Sequence, residues 1–288
     1  IPTFTAQPAT TCARIDVTYT TESGQSNYTW TYSGTLNTDY TITSGGTATS
    51  NTVTLKWLTS GNKTVSVNYT STLGCRAVNA TTSDNTLVYA LPTISSQPST
   101  TAQTVCLSFN TTPLSITAAA GSGTIVEYKW YSNTVNSTTT GTKILVATNT
   151  SSDTTDTYTP SSSVAGVLYY FCEVTNSNGC VTTSAVSGAV TIITTSVSGT
   201  ASANQTICSG FTPSSITLTG NTGTIQWQSS TDNSTFTNMT GTGVTAATLP
   251  AATIGPLTAT KYFRAVVTNT PCPSVNSNVI TVTVNPLP

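Results

Sequence analysis

Residues 168–180 read LYYFCEVTNSNGC, an alternating strand (Leu168–Thr175) that runs into a turn and stops on Cys180. Alternation of β-branched and aromatic residues with polar ones is the mark of a half-buried β-strand, and Asn-Gly ahead of the cysteine is turn chemistry. The same phrase occurs twice more. Val65–Tyr69 leads to Leu73-Gly74-Cys75, and Lys261–Thr268 leads to Pro271-Cys272-Pro273. Working upstream, each phrase is preceded by a tryptophan (Trp30, Trp130, Trp227) and, before that, by a first cysteine (Cys12, Cys106, Cys208). The tryptophan stands 45, 50 and 45 residues before the second cysteine, so the spacing is a repeat and not a coincidence of composition.

The period, near the length of one small sandwich domain, divides the chain into three units expected at 1–92, 93–195 and 196–288. Their edges repeat too. Gln7-Pro8 returns as Gln97-Pro98, Gly123-Thr124-Ile125 returns as Gly223-Thr224-Ile225, and proline marks the linkers at Pro92 and at Pro286. The linker from Thr194 to Ala203 has no proline and is expected to be the more flexible joint. The fold class predicted is all-β, with three tandem immunoglobulin-like antiparallel β-sandwich domains. Trp30, Trp130 and Trp227, with Tyr170 and Tyr262 ten residues before their cysteines, are expected in the cores. Trp57, on its own strand, is expected in the core or part-exposed.

Each unit holds a pair of cysteines 63, 74 or 64 residues apart. The expected bridges are Cys12–Cys75, Cys106–Cys180 and Cys208–Cys272, each tying the start of a domain to the loop before its last strand. Such bridges imply an oxidising compartment. Cys172 is left over. It reads as a buried free thiol, with pairing to Cys180 or a reactive or intermolecular thiol as the alternatives.

The 288 residues include only 8 Lys+Arg and 9 Asp+Glu, no histidine, and a net charge of −1. Eight scattered cations cannot displace the counterions of a nucleic acid or hold an anionic membrane surface, so neither is expected as a partner. No apolar run is long enough to span a bilayer. Without histidine, the usual triads for nucleophilic catalysis are excluded, and no Ser-x-x-Lys pattern replaces them. No catalytic residue and no cofactor are expected. Asp153 and Asp156 are the only acids close enough in sequence to suggest a carboxylate pair or a weak calcium site, and they read better as turn residues. Alternation with Trp130 turned inward sends Lys129 and Glu173 outward, where they are expected to pair across neighbouring strands.

The order Gln-Pro, Cys, Pro-x-x-Ile-Thr, Trp strand, Tyr-Phe, Asn-Gly-Cys and Val-Thr-Val-Asn-Pro-Leu-Pro resembles the Ig-like and PKD-like repeats of large Bacteroidetes surface proteins, including gliding-motility adhesins. The first unit, with Tyr28-Thr29-Trp30 and Val53-x-Leu55-x-Trp57, is closer to the PKD-like form. The resemblance implies type IX secretion, display at the cell surface and a role in adhesion or gliding, with no catalytic residues. Asp153-Thr154-Thr155 is similar to the O-glycosylation motif of that phylum, which makes Thr154 a candidate modification site. The chain is accordingly expected to be a mature fragment of a longer extracellular protein, serving as a structural and adhesive stalk. Its partners would be neighbouring repeats, with copies of itself in a fibre or surface glycans as alternatives. Tyr32, Tyr40, Tyr131 and Trp57 are the aromatic candidates for glycan contact.

Overall fold

The computed structural model describes all residues from Ile1 to Pro288. Apart from a four-residue helical turn, α1 (Ala251–Ile254), every regular element is a strand. The chain is three tandem immunoglobulin-like sandwiches, as the repeated cysteine–tryptophan spacing requires.

The first repeat contains β1 (Phe4–Ala6), β2 (Thr10–Cys12), β3 (Asp16–Thr21), β4 (Ser26–Tyr32), β5 (Tyr40–Gly45), β6 (Thr52–Trp57), β7 (Gly61–Lys63), β8 (Val65–Thr70), β9 (Thr81–Thr82) and β10 (Thr86–Tyr89). One face is the sheet β1-β3-β6-β5. The other is split into β2-β10-β7 and β4-β8-β9, so this unit lacks the continuous second sheet of the other two. The second repeat adds β11 (Thr93–Ser96), β12 (Gln103–Cys106), β13 (Leu114–Ala119), β14 (Ile125–Asn133), β15 (Lys143–Asn149), β16 (Thr155–Tyr158), β17 (Gly166–Asn176), β18 (Val181–Thr183) and β19 (Val190–Ile193). These form β11-β13-β16 and β12-β19-β17-β14-β15, with β18 on β17. The third repeat copies that plan. It has β20 (Val197–Ala201), β21 (Gln205–Cys208), β22 (Ile216–Thr222), β23 (Thr224–Ser230), β24 (Thr237–Asn238), β25 (Thr248–Leu249), β26 (Lys261–Thr268), β27 (Val275–Asn276) and β28 (Ile280–Asn285). Its sheets are β20-β22-β25 and β21-β28-β26-β23-β24, with β27 on β26.

Residues gather into two compact units. One holds Ile1–Thr100, Leu114–Tyr158 and Tyr169–Ser187; the other holds Thr101–Pro113, Thr159–Leu168 and Gly188–Pro288. Strand β17 belongs to both: residues 166–168 pair with β19 in the second unit, and the rest pair with β14 and β18 in the first.

Alternation decides the cores. In the first repeat Tyr19, Val53, Leu55, Trp57, Val65 and Val67 are fully buried, with Trp30 packed beside them. Trp57 donates its indole N–H to Tyr19 Oη (3.2 Å), which shares a 2.6 Å bond with Thr86 Oγ1. Burial leaves the Tyr19 hydroxyl with a raised pKa, and those two partners satisfy it. In the third repeat Ile216, Trp227, Leu249, Phe263, Ala265 and Val267 fill the core. In the second, Ile116, Tyr128, Trp130, Phe171, Cys172 and Val174 are all fully buried, and Tyr170 nearly so.

Tyr262 corrects one expectation. It is half-buried, and Phe263 takes the inward place. The cross-strand partner of each core tryptophan is Val67, Cys172 and Ala265. The stretch from that partner to the second cysteine is one residue shorter in the third repeat, and a shift of one residue exchanges the two faces of a strand. Counting back from Cys272 therefore lands on the wrong face.

Candidate functional site

The three first cysteines occupy one structural position. Each is the last residue of a short strand that runs parallel to the final strand of its repeat: Cys12 lies opposite Tyr89, Cys106 opposite Ile193 and Cys208 opposite Asn285. The next residue donates its N–H to that partner's carbonyl each time: Ala13 to Tyr89 (2.9 Å), Leu107 to Ile193 (2.8 Å) and Ser209 to Asn285 (2.9 Å). Two residues past the cysteine the backbone turns left-handed at Arg14, Ser108 and Gly210, with φ of 66°, 68° and 87°. Because these strands are parallel to the last strand, each first cysteine sits where the chain leaves its repeat.

The second cysteines sit at the opposite pole. Strand β26 is antiparallel to β28, so Cys272 lies beyond the end of β26 that is farthest from Asn285. An eight-residue strand spans roughly 25 Å, and a disulfide tolerates a Cα separation up to about 7 Å. Cys208 and Cys272 are thus out of reach of one another. Strands β7 and β8 carry the first repeat away from Cys12 in the same sense, because Gly61 of β7 lies opposite Val88, beside the Tyr89–Cys12 pair, and the chain then moves on to Cys75.

The disulfides follow from this polarity. Cys12 is bonded to Cys180 and Cys106 to Cys272, across 168 and 166 residues. The pairings expected within each repeat (Cys12 with Cys75, Cys106 with Cys180, Cys208 with Cys272) are replaced by pairings from the outgoing pole of one repeat to the incoming pole of the next. Cys75 and Cys208 are free and exposed; Cys172 is free and buried. Burial, then the nearby Asp156 charge, pushes the Cys172 thiol well above its ordinary pKa, so it is held as a neutral packing group opposite Trp130.

An asparagine completes each joint. Asn176, the last residue of β17, is 1% exposed and donates Nδ2 to Ala90 O (3.1 Å) and Ala120 O (2.9 Å). Its Oδ1 accepts from the N–H groups of Asn178 and Cys180, both at 3.1 Å. Asn269, the residue after β26, donates to Thr194 O (2.8 Å). Ala90 and Thr194 both directly follow the final strand of a repeat, so the same amide reads the same carbonyl at both joints. Thr182 Oγ1 adds a 2.6 Å bond to Pro92 O, and Gly121 (φ 72°) lets the backbone pass so close to Leu91 that a Cβ would sit 2.1 Å from its carbonyl oxygen. The proline-free linker is held by Asn269, by the 2.9 Å bond from Asn269 N to Ser196 Oγ and by the Cys106–Cys272 bridge. These asparagines were not singled out in the sequence, although one precedes each bridged second cysteine by three or four residues.

The other candidates resolve into structural roles. The carboxylate of Asp156 accepts from Trp130 Nε1 (2.7 Å) and Asn149 Nδ2 (2.8 Å), and Asp153 offers its backbone carbonyl to Tyr128 Oη (2.8 Å). The two acids therefore do not converge on a common point. Trp30 and Trp227 satisfy their indoles on backbone carbonyls instead, Ser50 O (3.0 Å) and Ala246 O (2.9 Å). Lys129 lies opposite Glu173 in register, but its 2.6 Å ion pair is with Glu127 on its own strand, not across the sheet as expected. Thr154 is exposed. Trp57 is fully buried, Tyr40 is packed against Trp57 and Tyr32, and Tyr131 stacks on Phe171 with ring centroids 5.2 Å apart. The half-buried Tyr32 has its hydroxyl inside without a partner, and burial raises its pKa to about 12. Trp57 and Tyr40 are thus buried in packing, and Tyr32 and Tyr131 are half-buried against aromatic neighbours.

Among known proteins, a family model described as a domain of unknown function (DUF8696) matches residues 197–286. No curated protein matches the chain. Among solved structures, the fibronectin(III)-like modules of Clostridium thermocellum CbhA are similar at 14% identity, over 67% of this chain and 95% of that one, with a TM-score of 0.32. The ICAM-5 D1–D4 ectodomain fragment is 12% identical over 99% of this chain and 76% of that one, with a TM-score of 0.36. The chicken CNTN1 FN1–FN3 domains are 12% identical over 96% and 98%, with a TM-score of 0.29. These likenesses carry no role over to this chain.

Proposed function

We propose that this chain is a non-catalytic structural and adhesive stalk segment of a secreted, repetitive cell-surface protein, its modules (1–92, 93–195 and 196–288) serving as covalently buckled spacers. The supporting observation is the interlacing of the two bridges, each of which joins consecutive repeats at the point where the linker passes. A disulfide inside a domain would protect that domain alone; a disulfide between domains limits how far the whole chain can be drawn out. Disulfides also require an oxidising compartment, which agrees with an extracellular location. The resemblance to Bacteroidetes repeat proteins points the same way and would place the chain among type IX secreted adhesins or gliding components.

The test is single-molecule extension from the two termini. The shortest covalent path runs from the N-terminus through Cys12–Cys180, back along the chain to Cys106, and through Cys272 to the C-terminus. At about 3.5 Å per extended residue, full unfolding of the oxidised chain reaches roughly 350 Å, against roughly 1,000 Å after reduction. An oxidised chain that reaches the longer value without a reductant would defeat the load-bearing reading.

A further inference from the structure

The bridge series has two unused terms. Cys208 is the outgoing-pole cysteine of the third repeat, built like Cys12 and Cys106: last residue of its strand, parallel to the final strand, with a left-handed residue two places on. Cys75 is the incoming-pole cysteine of the first repeat, built like Cys180. In both loops the first residue donates its N–H to the cysteine carbonyl, Ser71 to Cys75 (2.7 Å) and Asn176 to Cys180 (3.0 Å). In both, Gly74 or Gly179 takes a left-handed φ, of 79° or 76°. In both, the cysteine N–H returns to that first residue's side chain, Ser71 Oγ (3.2 Å) or Asn176 Oδ1 (3.1 Å).

Where the series is closed, Cys106, Cys180 and Cys272 are at most 4% exposed and Cys12 is half-buried. Where it is open, the thiols face solvent beside uncovered apolar groups. Leu73 and Val78 flank Cys75 at 88% and 98% exposure, and Phe211, at 63%, borders a hollow with Ile207 and Cys208. Neither thiol is in a disulfide, and one is an outgoing half and the other an incoming half of the same joint.

We propose that Cys208 of one copy of this chain bonds to Cys75 of the next, so that copies couple head to tail through the joint the chain already makes twice within itself. The occupant is a second copy because each copy carries both halves. The contact is heterologous, so it propagates instead of closing on itself. The chemistry is thiol–disulfide exchange with a low-molecular-weight disulfide of the glutathione class. One cysteine thiolate, having lost its proton to water, attacks the small disulfide and releases one small thiolate. The second cysteine thiolate then attacks the mixed disulfide and releases the other. Two protein thiols are oxidised, one small disulfide is reduced to two thiols, and one S–S bond joins the copies. The inference deepens the stalk reading by naming its partner.

The experiment incubates the full chain in a reduced/oxidised glutathione buffer and follows it by non-reducing electrophoresis and peptide mapping, beside Cys75→Ser and Cys208→Ser. Both substituted positions are exposed and unpaired, so the internal bridges act as the folding control. The wild type is expected to give a ladder of multimers whose new linkage is Cys75–Cys208. Each variant alone is expected to stay monomeric, and an equal mixture of the two to stop at a dimer. A wild type that stays monomeric, a Cys75–Cys208 bond within one chain, or dimers formed as readily by each variant alone would each overturn the proposal. Those outcomes, with Cys12–Cys180 and Cys106–Cys272 intact, leave the stalk reading standing.

Discussion

The loops Ser71–Cys75 and Asn176–Cys180 are the same turn with different fates. Both reverse a core strand, place glycine at a left-handed position and end on cysteine. The second is buried against a preceding linker and bridged; the first is exposed and its thiol is free. The turn presents the sulfur at the incoming pole, and the repeat that precedes it supplies the partner. A side-chain difference accompanies this. Asn176 has an amide that donates to the linker while its oxygen caps the turn; Ser71 caps the turn with a hydroxyl that does not reach as far.

Thiol labelling should separate the two loops most sharply. In the folded, oxidised chain at pH 8, an alkylating reagent is expected to modify Cys75 and Cys208 and to leave Cys172 untouched until denaturant is added. The cause is steric closure together with a raised thiol pKa, which withholds the thiolate at that pH. Mass mapping after a timed pulse reads this, and rapid labelling of Cys172 in the native chain would contradict its packing role.

Asn176→Ala comes next. It removes four hydrogen bonds at a buried position and should destabilise the bridged loop by about 3 kcal/mol, read as faster amide exchange at Asn178 and Cys180. Ser71→Ala removes a single bond on an open loop and should cost under about 1 kcal/mol. Equal effects would mean the joint adds nothing to the turn.

Asp156→Ala should weaken the second repeat by about 2 kcal/mol, because it orphans the indole N–H of Trp130. Asp156→Asn retains an acceptor oxygen and should cost less. Neither change should touch the first or third repeat, whose tryptophans bond to backbone carbonyls. Tryptophan-resolved unfolding would show it.

A modest pH dependence is expected at the start of the first repeat. Burial raises the Glu22 pKa, but hydrogen bonds from Thr21 and from the Thr3 hydroxyl and N–H outweigh it and hold it at about 2. A carboxyl depressed in the fold stabilises fully above its unfolded pKa of about 4.5, and that contribution is lost as pH falls toward 2. Discounted for solvent exposure, the clip is worth about 1 kcal/mol. Protection of the Thr3 amide should fall across that window, and Glu22→Gln should flatten the profile.

The alternating strands, the tryptophan on the third core strand and the glycine- or proline-bearing turns dictated the sandwiches from local chemistry alone, since alternation fixes which face is buried. Trp30, Trp130 and Trp227 were legible for that reason. Tyr262 was misread because the face depends on loop length, and the loop before Cys272 is one residue shorter. The candidate site divides the same way. Seven cysteines in a repeating pattern disclosed the bridge positions. Their partners depend on which pole each strand end occupies, and that is fixed by the parallel pairing of β2 with β10, β12 with β19 and β21 with β28. No local signal records a pairing that closes 168 residues away, and none told that Asn176 and Asn269 would meet a linker carbonyl. Sequence by itself determined the modules and left the sulfurs unassigned. The direction of one short edge strand, settled only when the sheets form, turned bridges within domains into bridges between them.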